Sequence, residues 1–209
     1  MKRDQFLIDG PKRGGVTLIL AHGAGAAMDS PFMNVIAEGV AASKIRVARF
    51  EFPYMARRRT EGKRPGPDRA PVLLQTWQDA VEAWGGGDRV VVGGKSMGGR
   101  IASMIADEAG VRGVVCLGYP FHPPGKPDKL RTAHLEKLKT PTLILQGSRD
   151  PFGTRDEVPG YGLSRKIKLH WLEDGDHSLK PRKKSGFTLE QHLEDAVTRI
   201  VKFVEKVGG

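Results

Sequence analysis

Gly94-Lys95-Ser96-Met97-Gly98 follows an apolar, β-branched run at 89–92 and precedes a segment in which Ile101, Met104 and Ile105 recur at helical spacing. A serine at the apex of so short a strand-to-helix turn is forced into a strained backbone conformation. The positions two before and two after it must then be nearly free of side chain. Gly94 and Gly98 meet that need, and the arrangement is that of a nucleophile elbow. In a chain with 27 glycines the five-residue pattern alone is weak, so the flanking segments decide the reading.

Working outward, strands are expected at 16–21, 45–52, 89–92, 113–117, 142–146 and 166–172, with a further edge strand near 6–8. Helical patterns separate them. Leu74, Trp77, Val81 and Trp84 mark one helix face, and Ser30-Pro31 looks like an N-cap and first-turn proline for a helix reaching about residue 42. A last helix from about residue 188 carries Leu189, Leu193, Ala196, Val197, Ile200 and Val204 on one stripe. This alternation predicts an α/β fold, a mostly parallel, doubly wound sheet of about six or seven strands. Residues 55–71 and 178–186 lack periodicity and read as loops. About two dozen residues separate the strands at 113–117 and 142–146, too few for an inserted cap domain. The whole chain, 1–209, is expected to form a single domain.

Cys116 is the only cysteine, which removes internal disulfides and Cys-based metal sites and suits a reducing compartment. Its place inside an apolar strand makes it a core residue. The start, Met1-Lys2-Arg3-Asp4, is followed by too short an apolar stretch for a signal peptide, and no run reaches membrane-spanning length. The expected location is therefore cytoplasmic, with no membrane partner. The formal net charge is +10, and it is concentrated. Residues 55–71 hold Arg57, Arg58, Arg59, Lys63, Arg64 and Arg69 against Glu61 and Asp68, while residues 179–185 hold Lys180, Arg182, Lys183 and Lys184 with no acid. Each segment is net +4.

Three further pieces surround Ser96. The strand at 16–21 runs into His22-Gly23-Ala24-Gly25-Ala26, a small-residue turn whose N–H groups can face a developing oxyanion. Asp150 follows the strand at 142–146, and His177 follows the strand at 166–172. The C-terminal ends of parallel strands share one sheet edge, so the three side chains can converge there. With Ser96, Asp150 and His177 in that order, the chain resembles the α/β-hydrolase superfamily over nearly its whole length. Gly93-Gly94-Lys95-Ser96-Met97-Gly98-Gly99-Arg100, Gly118-Tyr119-Pro120-Phe121-His122-Pro123-Pro124-Gly125 and Asp176-His177-Ser178 are similar to its small, lidless, testis-expressed-protein-like branch, which is close to the dienelactone-hydrolase-like enzymes.

The resemblance implies a serine hydrolase that forms an acyl-enzyme on Ser96, with His177 as general base and acid and Asp150 orienting the imidazole. Met97 N–H and Ala24 N–H, with Gly25 as the alternative, are the expected oxyanion donors. No metal or organic cofactor is required. Tyr54, Met55, Tyr119, Phe121 and Phe152, all near strand ends, are the expected substrate-pocket walls. Lys95 occupies an unconstrained position of the elbow and is expected to be solvated.

Competing assignments are open at several positions. Asp150 also suits an N-cap before Pro151, with Glu173, Asp174 and Asp176 as substitute acids. His122 rivals His177 because it follows a strand at the same edge, although it precedes Asp150 in the chain. His22 belongs to the oxyanion turn, His170 to a strand, and His134 and His192 to helical segments. Gly94-Lys95-Ser96 also matches part of a phosphate-binding loop, but Arg89 stands where that loop needs glycine.

The expected partner is a small-molecule ester or thioester, with an anionic acyl substrate favoured by the basic segments. A catalytically silent hydrolase-fold scaffold is the alternative. Nucleic acid, bound through the basic segments, is disfavoured, and the sequence leaves the oligomeric state open.

Overall fold

A computed structural model of the chain describes residues 1–12, 14–62 and 64–209. Lys63, counted above among the basic residues, lies outside the described residues. Seven strands form one sheet: β1 (Leu7–Asp9), β2 (Thr17–Ala21), β3 (Arg46–Phe50), β4 (Val90–Lys95), β5 (Gly113–Leu117), β6 (Thr142–Gly147) and β7 (Ile167–Leu172). Their spatial order is β1-β3-β2-β4-β5-β6-β7. β1 runs antiparallel to β3, while every other neighbouring pair is parallel.

Strand residues divide by alternation between two cores. Leu18, Leu20, Val47, Val91, Val115, Leu117, Leu143 and Leu145 face one layer, while Ile19, Ala48, Phe50, Val92, Val114, Cys116 and Ile144 face the other. Burial on both faces is why these strands read as continuous apolar runs. α1 (Pro31–Ala42) and α5 (Leu189–Gly208) cover the first face through Met33, Ile36, Val40, Leu193, Ala196, Ile200 and Val204. α3 (Ala70–Ala83) and α4 (Met97–Ile105) cover the second through Leu73, Trp77, Val81, Ile101 and Ile105. α5 starts with a reciprocal capping box, in which Thr188 accepts from the Gln191 N–H and the Gln191 side chain accepts from the Thr188 N–H.

One helix departs from the loop expected at 55–71. α2 spans Pro53–Glu61, with proline at its start and Gly62 in the left-handed region at its end. Its only buried side chains, Tyr54 and Met55, are adjacent. They therefore give no three-to-four-residue repeat, and the arginines that follow them make ion pairs. Arg57 meets Asp68 at 2.6 Å, and Arg59 meets both Glu51 and Asp29. No separate cap domain is present among the described residues. The connections from β5 to β6 and from β6 to β7 are irregular turns, apart from one short 3-10 turn at Val158–Tyr161. His134 accordingly lies in a turn rather than a helix.

Candidate active site

β4 ends at the elbow. Ser96 has φ 50° and ψ −113°, a region that non-glycine residues rarely occupy and that tertiary structure must enforce. Its N–H donates to Leu117 O at 2.9 Å, and its carbonyl accepts from Arg100 N at 3.0 Å. The flanking glycines are required by close approach. A Cβ on Gly94 would strike the Ala21 carbonyl of β2, and one on Gly98 would strike the Ala21 and His22 carbonyls.

Three side chains from three strand ends meet here. Ser96 Oγ lies 2.8 Å from His177 Nε2, and His177 Nδ1 lies 2.8 Å from Asp150 Oδ2. An ionised carboxylate only accepts, which places a proton on Nδ1 and leaves the Nε2 lone pair for the serine hydroxyl. Phe152 stacks on the imidazole with ring centroids 4.1 Å apart, fixing its plane. Asp150 is fully buried. Its Oδ1 accepts from Phe152 N and its Oδ2 from Gln146 Nε2, both at 2.9 Å.

Gln146 was not singled out in the sequence. Its amide oxygen accepts from Tyr119 N at 2.7 Å, while its NH₂ also donates to the Tyr119 and Gly153 carbonyls. One buried amide thereby ties the loop after β5 to the carboxylate. A polar residue directly after the apolar run Leu143-Ile144-Leu145 of β6 was the available signal.

The substitute acids have other work. Asp174 pairs with Arg182 and Arg149, and the Arg182 hydrogen bond holds its carboxyl down to about 2. Asp176 accepts from Ser178 N and Lys180 N, and Glu173 meets Arg155 at 2.6 Å. His192 Nδ1 bonds to Leu179 O at 2.7 Å, so these contacts shape and anchor the loop that carries His177. The rival His122 is buried, with Nδ1 on Pro123 O at 2.9 Å, and makes no contact with Ser96.

The turn expected to face an oxyanion packs against the elbow, with Gly23 beside Lys95 O and Ser96 Cβ. Buried His22 braces it. Its Nε2 accepts from Phe52 N at 3.1 Å, which places the proton on Nδ1 as in His177, and Nδ1–H donates to Gly23 O at 2.6 Å. Burial lowers the His22 pKa and favours this neutral form.

Tyr54 is a second brace rather than a pocket wall. It is fully buried, and its hydroxyl donates to Ala24 O at 3.0 Å and Gly23 O at 3.3 Å. Tyr119 and Phe121 are likewise fully buried and present no surface to a ligand. Of the expected walls, Phe152 lies against His177, and Met55 lines a depression of about 530 Å³ together with Gly25, Ala27, Arg58, Arg59, Gly62 and Arg64.

Lys95 also departs from expectation. Its side chain folds inward, Nζ donates to the His177 carbonyl oxygen, and the Phe32 ring centroid lies 5.6 Å away. Among the described residues, no group of three or more His, Cys, Asp or Glu side chains is placed to hold a metal ion. No described helix is long and apolar enough to cross a membrane.

Known structures repeat this architecture. An α/β serine hydrolase homologue from Coxiella burnetii aligns at TM-score 0.69 and 16% identity, over 95% of this chain and 90% of its own. A dienelactone hydrolase from Anabaena variabilis gives 0.65 and 20%, over 95% and 89%. An α/β serine hydrolase without lid from Xanthomonas campestris gives 0.62 and 16%, over 95% and 87%. At such identities the likeness concerns the fold. The family model for the alpha/beta hydrolase domain matches residues 14–205, and with that match the chain belongs to the α/β-hydrolase family.

Proposed function

We propose that the protein is a serine hydrolase of a single α/β-hydrolase domain that cleaves an ester or thioester of a small acyl substrate. The observation that carries this reading is the unbroken hydrogen-bond chain from Ser96 Oγ through His177 to buried Asp150. In this reading His177 Nε2 takes the Ser96 proton as Oγ attacks the acyl carbon. The resulting oxyanion is held by Met97 N–H and by Ala24 or Gly25 N–H. The bond from acyl carbon to the leaving oxygen or sulfur then breaks, and the imidazolium returns the proton to the leaving group. A water molecule repeats the sequence on the acyl-enzyme and frees Ser96. Asp150 keeps the imidazole in the required tautomer and stabilises its cationic form.

A fluorophosphonate probe tests the nucleophile. Wild type is expected to label and Ser96→Ala is not. A wild type that fails to label would establish the silent scaffold, and labelling that survives the substitution would move the nucleophile elsewhere.

The depression beside Gly25 favours an acyl substrate with an anionic group. Arg59 is already paired with Glu51 and Asp29, but among the described residues Arg58 donates only to the neutral Pro65 carbonyl and has no carboxylate partner. Long-range attraction of this kind weakens with salt. kcat/KM for matched anionic and neutral esters at two ionic strengths checks the point. Equal values at low salt would remove the anionic preference.

A further inference from the structure

We propose that Lys95 is a positioning residue that clamps the His177 loop against the elbow through its hydrogen bond to the His177 carbonyl oxygen. The proposal rests on the hydrolase reading above. The same turn that presents Ser96 then also holds the backbone of its partner histidine, one residue away in sequence. Two separate observations support it. The Lys95 side chain turns into the protein and ends on the His177 carbonyl, beside the face of Phe32. Gly118, at φ +66°, leaves the room. A Cβ there would come within 2.8 Å of His177 O and 2.9 Å of Lys95 Nζ, so both partners of the clamp press on one glycine. Asp150 and Asp176 partly offset the cost that burial puts on a cation at Nζ.

Desolvation is the larger influence, and it brings the Lys95 ammonium down to about 8. The groups acting on it are Asp150 and Asp176, which favour the charge, with the His177 carbonyl as the acceptor. A cationic donor bonds a carbonyl about twice as strongly as a neutral one. The clamp is therefore tightest below about pH 8 and loosens as the ammonium loses its proton. Looser anchoring lets Nε2 wander from Ser96 Oγ, and a misplacement of about 1 Å costs on the order of 10²-fold in rate.

The experiment compares wild type, Lys95→Met and Lys95→Arg by hydrolysis of p-nitrophenyl acetate and by the rate of fluorophosphonate labelling. Wild-type kcat is expected to fall above about pH 8; Lys95→Met is expected to lower kcat roughly 10- to 100-fold, with KM within about twofold, and to lack that alkaline fall. Lys95→Arg keeps a cationic donor and is expected to recover most of kcat without the alkaline fall. Labelling in all three proteins with kcat and pH profile unchanged in Lys95→Met would overturn the clamp while leaving the hydrolase reading intact. An Arg variant as impaired as the Met variant would also overturn it. Absence of labelling in wild type would overturn both.

Discussion

Two serine–histidine pairs lie seven residues apart along one segment. Ser96 Oγ meets His177 Nε2 at 2.8 Å, and Ser103 Oγ meets His134 Nε2 at 2.9 Å. By distance they are equivalent, yet their surroundings give opposite chemistry. Ser103 sits in the interior of α4, buried, and its hydroxyl also lies 2.7 Å from Arg100 O. A hydroxyl has one proton, and in a helix it is well placed to return it to a carbonyl of the preceding turn. His134 has no carboxylate on its other nitrogen among the described residues. Burial, aided by Arg100, lowers its pKa to about 4, so it resists the charge a base must accept. Ser96 stands outside the helix at a strained φ, and its histidine is backed by Asp150. The contrast teaches that a base needs an acid behind it and a serine hydroxyl not already committed to the backbone.

The comparison can be broken in order of expected effect. Ser96→Ala should lower kcat for p-nitrophenyl acetate by about 10⁴-fold or more, while Ser103→Ala should leave it within about twofold. Asp150→Asn should cost roughly 10⁴ in kcat by removing the tautomer control. The corresponding change in the surface pair His170–Asp195, 2.5 Å apart, should leave kcat unaltered and change the unfolding free energy from urea titration by about 1 kcal/mol or less.

Gln146→Leu should destabilise the fold by about 1–3 kcal/mol in urea titration, because it strands the buried Tyr119 N–H and removes one of the two donors to Asp150 Oδ2. The last prediction concerns pH. His134 stays neutral in the folded protein down to about 4, while the unfolded chain takes up a proton near the ordinary 6.5. The unfolded state therefore binds more protons between those values, and stability falls as pH drops from 6.5 towards 4. His134→Gln should flatten that part of the urea-midpoint profile.

Much of the site was legible because steric demand wrote it into residue type. Gly94 and Gly98 face neighbouring carbonyls that admit no Cβ, and the strand-end positions of Asp150 and His177 follow from parallel topology. What was not legible depends on where long or buried side chains travel. The elbow pattern leaves the position of Lys95 unspecified, so nothing in it reveals a four-carbon stem folding back onto His177. Tyr54 read as an aromatic at a strand end, whereas its hydroxyl braces the turn from beneath. α2 escaped notice because two adjacent buried residues carry no period, and its Arg57 and Arg59 are partners of Asp68, Glu51 and Asp29 rather than part of an open basic loop.

α5 bears on how the chain is made. The ribosome completes all seven strands before it reaches residue 189, and until then one face of the sheet lacks the cover that Leu193, Ala196, Ile200 and Val204 supply. A nascent chain at that stage carries Val91, Val115, Leu143 and Leu145 exposed along neighbouring strands, the kind of surface that aggregates or engages chaperones. Native sheet burial is thus coupled to the arrival of the final helix.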